Sequence, residues 1–315
     1  MTYADSINQT LHQILDTIPE SVLIGQGVTS PWYVGSTTTG LIDTFGSDRV
    51  IDTPVSESAV TGSAAGMALA GMRPIVMHPR MDFMLLAMDP IVNQIANWRE
   101  MFGGERGMPL VMWVIVNRGG EQGAQHSQAL HAMLAHVPGL KVVAPSSPAN
   151  MAGVLYSAVL DEDPVVIIDD RWLYSMVGDV DLNLFRWPIG QAEVLRRGVD
   201  VTIIASSWLT LMADHAIHKS GRVLELIDLV SLSPLDEKTI LNSVARTRNA
   251  LILDGGWRSC GFAAEVAAVI AESDYDVTVR RLTLPDLPAP AARSLEKKYY
   301  HSIDSILEAV TWFEV

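Results

Sequence analysis

Two hydrophobic spacings alternate along this chain. Ile7, Leu11, Ile14 and Leu15 fall at helical intervals within Ser6–Thr17, and the apolar run Ser21–Gly25 that follows has the length of a buried strand. The exchange then repeats. Strands are expected at Arg49–Pro54, Arg73–Met77, Leu110–Val116, Leu140–Ala144 and Pro164–Ile168, with helices at Glu57–Ala70, Met88–Phe102, Ser127–His136 and Ala149–Leu160. Short apolar strands alternating with helices predict a parallel sheet covered on both faces, an α/β fold. Gly62, Gly66 and Gly71 weaken the helix at 57–70 by propensity. Close packing against a neighbour is their expected reason.

The rhythm fails between Gly178 and Gly198, then restarts. Strands at Asp200–Ser206, Val223–Leu229, Ala250–Asp254 and Val277–Leu282 alternate with helices at Thr210–Lys219, Asp236–Arg246, Gly261–Glu272 and Ser302–Phe313. The reading is therefore two α/β domains, residues 1–180 and 199–315, joined by a linker at 181–198. A length of 315 residues suits two domains at about 100–200 residues each.

Composition narrows the class. Apolar residues make up 49 % of the chain and charged residues 18 %, yet no run approaches the roughly 20 apolar residues of a membrane span. The surplus suits parallel strands buried on both faces and subunit interfaces. A net charge of −14 argues against a nucleic-acid partner. The N-terminus lacks the basic and apolar regions of a signal peptide, and Cys260 is the single cysteine, so a reducing, cytoplasmic setting is expected.

Several residues invite a chemical reading. His126 lies just after the glycine-rich loop 117–123, where ligands meet an open parallel sheet, and a histidine there can move protons near neutral pH. A capped surface histidine fits the same position. Glu57 stands at a strand-to-helix junction, where an acid that merely favours the helix dipole is also common. His215 and His218 sit one turn apart on a polar face and lack a third ligand at metal spacing, so a solvated face is the simpler reading. The methionines at 67, 72, 77, 81, 84 and 88 read as gap-filling core. From the residues alone, the argument stops at a two-domain α/β enzyme or binding protein.

Longer strings carry it further. These are Asp52-Thr53-Pro54-Val55-Ser56-Glu57, Gly71-Met72-Arg73-Pro74, Asp89-Pro90-Ile91-Val92-Asn93-Gln94, Gly123-Ala124-Gln125-His126-Ser127-Gln128 and the run from His136 to Pro145. With Leu232-Ser233-Pro234-Leu235-Asp236 and Gly261-Phe262-Ala263-Ala264-Glu265, they resemble the β subunit (E1β) of the thiamine-diphosphate-dependent 2-oxo acid dehydrogenases, over about residues 15 to 300. The resemblance implies a transketolase-like pyrimidine-binding domain followed by a transketolase C-terminal domain. It places Glu57 on the cofactor's ring nitrogen N1′, with Phe83 packing on the pyrimidine and Val55 forming a small apolar wall beside it. His126 would face the substrate side of the thiazolium as a proton donor. It also implies a structural potassium ion held mostly by main-chain carbonyls near Leu110, Ala158, Val159, Asp161 and Asp163.

The family's diphosphate- and magnesium-binding run, Gly-Asp-Gly followed by a later Asn, is absent from this sequence. The resemblance therefore implies a separate α-type chain that holds magnesium and the diphosphate in an α2β2 heterotetramer. A lipoyl acyltransferase (E2) would be a further partner. Some positions depart from the family: Gln26-Gly27 replace paired acids, Met77 replaces an acid before His78-Pro79-Arg80, Val230 replaces an arginine, and Asp254-Gly255 replace His-Glu. Arg80 could meet an anionic substrate or form a surface ion pair. These departures keep open a second reading, a two-component thiamine-diphosphate enzyme of specialised metabolism that decarboxylates or joins carbons without a lipoyl carrier. Retention of Glu57 and His126 argues against a third, a non-catalytic pseudo-subunit.

Overall fold

Two sheets, with fully buried strands at their centres, set the architecture of the computed structural model, which describes residues 1–30, 32–181 and 186–313; the strands are numbered in chain order. They are β1 (Ser21–Gly25), β2 (Val50–Asp52), β3 (Arg73–His78), β4 (Val111–Val116), β5 (Lys141–Val143) and β6 (Val165–Asp170), then β7 (Glu193–Arg196), β8 (Thr202–Ala205), β9 (Glu225–Asp228), β10 (Ser231–Ser233), β11 (Asn249–Trp257) and β12 (Thr278–Leu284). The first sheet runs β10-β5-β6-β4-β3-β1-β2, parallel except for β10; the second runs β12-β11-β8-β9-β7, parallel except for β7. Parallel strands need crossovers, and helices on both faces remove their backbone ladders from water. That is why β4 and β6 read as unbroken apolar or buried runs rather than alternating ones.

The helices are α1 (Tyr3–Thr17), α2 (Leu41–Phe45), α3 (Glu57–Leu69), α4 (Met81–Met84), α5 (Trp98–Met101), α6 (His131–Ala135) and α7 (Pro148–Leu160), followed by α8 (Trp208–Ser220), α9 (Glu237–Thr247), α10 (Phe262–Ala271), α11 (Arg293–Tyr299) and α12 (Ile303–Val310). Thr2 and Asp5 form a capping box that starts α1, and its apolar stripe is buried as the spacing predicts. Among the described residues, no helix is long and apolar enough to cross a membrane.

Some expectations need correction. The helix expected at 88–102 starts earlier, at Met81, and passes through a 3-10 turn at Leu85–Ala87 and a π-helical segment at Asp89–Ile95 before α5. Pro90 has no N–H to donate, which removes one ordinary helical hydrogen bond at the start of the π segment. The helix expected at 127–136 shrinks to α6: residues 127–130 are not helical, and 124–126 ahead of them form a separate 3-10 turn. At Gly62, Gly66 and Gly71 an added Cβ would meet nothing within 4 Å, so close packing within this chain does not explain them. The expected linker also contains β7, which pairs antiparallel with β9 and belongs to the second sheet; its residues 182–185 lie outside the described residues. Met77, Met81 and Met84 are core, as expected.

The two halves are stitched together by polar groups as well as by apolar packing. Strand β10 leaves the second half of the chain to pair with β5 of the first sheet. Arg118 forms a buried ion pair with Asp170 and donates to the Gly255 carbonyl at 3.2 Å. His131 meets Asp254 at 2.8 Å. Asp228 accepts from Ser146, from Asn150 Nδ2 at 3.1 Å and from Thr210 Oγ1 at 3.1 Å.

Burial pushes the Asp228 carboxyl up to about 7, and its hydroxyl donors only partly offset this. A carboxyl raised in the folded state stabilises the fold fully below its unfolded pKa and loses that contribution as pH rises through about 7. Asp228→Asn removes the titration while keeping an oxygen acceptor. The melting temperature of the variant relative to wild type is expected to climb by several degrees between pH 5 and pH 8, measured by calorimetry. A pH-independent difference would show that Asp228 does not titrate there.

Candidate active site

Parallel register brings the carboxyl ends of β1, β2, β3, β4 and β6 to one edge, where Gly25 pairs with Asp52 and Met77, and Val116 with Asp170. Ligands of open α/β sheets bind at this edge. Glu57, Phe83 and His126 all stand in segments that leave it.

Glu57 is the first residue of α3 and is only 8 % exposed, yet its carboxylate has no hydrogen-bond or ion-pair partner among the described residues. One turn later Thr61 Oγ1 lies 3.3 Å from His78 Nε2, at the end of β3. Burial lowers the His78 pKa to about 4, so a neutral imidazole supports the helix that presents Glu57. Val55, just ahead of α3, is 65 % exposed.

Phe83 lies on α4, 37 % exposed, and its ring meets the His126 ring edge-on with centroids 5.3 Å apart. Two contacts hold the His126 turn against α4. Asp82 Oδ1 accepts from the Gln128 backbone at 3.1 Å and from its Nε2 at 2.9 Å, and Leu130 N–H donates to Met81 Sδ at 3.2 Å. Helix α3 packs on α4 and on the 85–95 segment, which brings Glu57 to the same region as the ring pair. No hydrogen bond links Glu57 to that pair among the described residues.

The loop after β1 explains one departure from the family pattern. Gly27 has a φ of 75°, and a Cβ there would run into the Tyr33 ring. Tyr33 Oη accepts from Gln26 Nε2 at 2.8 Å. An aromatic side chain thus fills the space over residues 26 and 27, and a glycine is required beneath it.

Sequence reasoning missed His78, Asp82, Asn117 and Arg171, and noted Arg80 only as one of two possibilities. Arg80, Asn117 and Arg171 each follow closely on the end of a parallel strand, and that shared placement is the signal that could have found them. With the Asn117 oxygen facing the guanidiniums, it accepts from Arg80 Nη1 at 2.6 Å and from Arg171 Nη1 at 3.2 Å.

The expected potassium ligands lie elsewhere, at the amino ends of β4 and β6. There Arg73 Nη1 donates to the carbonyls of Val159 at 2.9 Å and Asp161 at 3.1 Å. Lys141 bonds both Asp161 carboxylate oxygens, and Arg99 Nε bonds Asp163 at 2.6 Å. The carbonyls of Leu110 and Ala158 accept from Val165 and Asp161. Arg73 meets two of these carbonyls, backbone N–H groups meet two more, and Lys141 and Arg99 meet the carboxylates, so this donor set does not fit a separate potassium ion.

Residues 1–176 match the family described as transketolase, pyrimidine binding domain, and residues 190–306 match transketolase, C-terminal domain. The chain is 33 % identical to the acetoin:2,6-dichlorophenolindophenol oxidoreductase subunit beta of Bacillus subtilis, over 98 % of this chain and 95 % of that one. It is 33 % identical to the 2-oxoisovalerate dehydrogenase subunit beta of the same organism, over 98 % and 97 %. Identity to the pyruvate dehydrogenase E1 component subunit beta of Rickettsia felis is 34 %, again over 98 % and 97 %. A solved structure titled split gene transketolase, inactive beta4 tetramer, superposes with a TM-score of 0.82 at 21 % identity, covering 99 % of this chain and 98 % of that one, and shares the fold.

The Asp82 clamp makes a prediction. Asp82→Ala removes the acceptor that pins Gln128, so amide exchange over residues 124–130 should accelerate. Stability should fall by about 0.5–1.5 kcal/mol, the net worth of a hydrogen bond to a part-buried donor. Unchanged exchange in that segment would mean that Asp82 does not position His126.

Proposed function

This chain belongs to the family of E1 β subunits, built from a transketolase pyrimidine-binding domain and a transketolase C-terminal domain, and on that premise we propose that it is the β-type half of a two-chain thiamine-diphosphate enzyme. The reaction is decarboxylation of a 2-oxo acid with transfer of the acyl group to lipoamide. One observation carries the reading: Glu57, a largely buried residue at the start of α3, has no partner for its carboxylate among the described residues. Its oxygens stay accessible at the sheet edge, where the protonated ring nitrogen of a bound pyrimidine would be a partner for them.

Bound at this edge, thiamine diphosphate supplies the nucleophilic carbon and the electron sink for breaking the bond to the carboxylate. Glu57 holds a proton at N1′. Val55 and Phe83 offer the apolar surface that the pyrimidine ring would cover, and both are exposed in the isolated chain. His126, steadied edge-on by Phe83, delivers or takes a proton at the substrate oxygen. Magnesium and the diphosphate are assigned to an α-type subunit in an α2β2 assembly. Exposed Trp32 and Leu86 give such a partner apolar side chains to cover. Potassium is left out of the proposal, because Arg73 meets the carbonyls that would hold it. We place the enzyme in the cytoplasm, with Cys260 free and exposed.

A second reading rests on Tyr33 over Gly27 and on unpaired Arg80, which alter the surroundings of the cofactor edge. On that reading the acyl group passes to an aldehyde and no lipoyl carrier takes part. Single-turnover decarboxylation with lipoyl domain, then with an aldehyde, separates the two. Acyl transfer to lipoyl domain is the expected outcome; carboligation without it would move the assignment to the second reading.

Two variants test the residue roles in the enzyme reconstituted with its α-type partner. Glu57→Gln keeps the shape but cannot shuttle a proton, so cofactor C2–H exchange should slow by orders of magnitude, and near-wild-type exchange would remove Glu57 from that role. His126→Ala should retain C2–H exchange and lose about 10²–10⁴-fold in turnover. A comparable loss in exchange would place His126 in cofactor activation instead.

A further inference from the structure

Residues closely following three strand ends converge beside the Phe83–His126 pair: Arg80 after β3, Asn117 after β4 and Arg171 after β6. Asn117 Oδ1 accepts from Arg80 Nη1 at 2.6 Å and Nη2 at 3.3 Å, from Arg171 Nη1 at 3.2 Å and from Gln122 Nε2 at 3.3 Å. Two guanidiniums therefore share one neutral oxygen. Arg80 caps the helix that carries Phe83, and Gln122 belongs to the loop that leads to His126.

Neither arginine forms an ion pair among the described residues. Most others in the buried or half-buried parts of the chain do: Arg73 with Glu162, Arg99 with Asp163, Arg118 with Asp170, Arg196 with Asp214 and Arg246 with Glu225. Two nearby acids each give one oxygen to other donors and keep the second buried without a hydrogen-bond partner, and neither forms an ion pair with these arginines. Asp82 Oδ1 is bound by Gln128, and Asp169 Oδ2 accepts from Trp113 at 2.9 Å and Tyr174 at 2.7 Å. Arg171 also lies 5.7 Å from the centre of the Tyr174 ring. Burial and then the charge of Arg171 lower the Arg80 pKa, and the opposing charge of Asp82 offsets this only in part.

We infer that Arg80 and Arg171, bridged by Asn117, receive an anionic group, a carboxylate or a phosphate ester, that the substrate carries away from its reacting carbonyl. This rests on the reading of the Phe83–His126 edge as the substrate side. The carboxylate that leaves as carbon dioxide is a poor occupant, because ionic hydrogen bonds that tighten the ground state raise the barrier to losing it. A distal anion keeps its charge through the reaction. Its binding can then position the carbonyl without opposing the chemistry, and planar guanidiniums match both carboxylate and phosphate oxygens.

The test starts with binding to the full chain. Inorganic phosphate and succinate are titrated calorimetrically into wild type, Arg80→Gln, Arg171→Gln and Asn117→Asp. Saturable 1:1 binding is expected for wild type, weakened at least about tenfold in each arginine variant, as for the loss of a charged hydrogen bond. Asn117→Asp places an internal carboxylate between the guanidiniums, so it should abolish anion binding and raise the melting temperature. The tighter of the two anions identifies carboxylate or phosphate as the group recognised. In the reconstituted enzyme, Arg80→Gln should lower kcat/KM for the matching anionic substrate at least about tenfold relative to 2-oxobutanoate. Absent binding in wild type, or binding that survives Asn117→Asp, overturns the inference. If no 2-oxo acid is turned over while Arg80-dependent binding persists, the proposed reaction fails and the anion site stands.

Discussion

The parallel ladder from β1 through β3 and β4 to β6 is the constraint on which everything else in this molecule depends. Its strands hydrogen-bond in one direction and are covered on both faces, so each must be followed by a crossover, and the crossovers leave from a single edge. Glu57, Phe83, His126, Arg80, Asn117 and Arg171 come from five different segments, yet this one register gathers them. The price is a sheet edge lined with polar groups that the core cannot satisfy.

The structure handles those groups in two ways. Toward the second domain they are closed off by contacts within the chain: Arg118 with Asp170 and Gly255, His131 with Asp254, and Asp228 with donors from both halves. Burial alone would raise the Asp254 carboxyl, but His131 and the N–H groups of Ala263 and Gly256 outweigh it and hold the pKa at about 2. Toward the cofactor edge the groups stay unmatched. Glu57 lacks a partner, Val55 and Phe83 remain exposed, and two arginines share one amide oxygen. The same carboxyl edge is thus closed off where it meets the second domain and left open beside Glu57 and Phe83.

Much of this was legible in the sequence. Unbroken apolar runs gave the parallel sheet, and the strings around Glu57 and His126 gave the family. What escaped has physical reasons. The π segment after α4 depends on the missing N–H of Pro90, which periodicity does not register. Strand β10 is three residues long and pairs with the other domain, so no local pattern marks it. The grouping of Arg80 with Asn117 and Arg171 exists only once β3, β4 and β6 lie side by side. Arg73, far away in sequence, reaches the carbonyls of Val159 and Asp161 that were expected to meet potassium, a contact that no local pattern marks.

The central claim is that this chain holds half of a thiamine-diphosphate site, with Glu57 as its anchor. Equilibrium dialysis of thiamine diphosphate and magnesium against this chain, its α-type partner and their mixture tests it most directly. The account predicts tight binding only in the mixture, one cofactor per αβ pair, weakened when Glu57 is replaced by alanine. Tight binding to this chain alone, or binding in the mixture indifferent to Glu57, would contradict it.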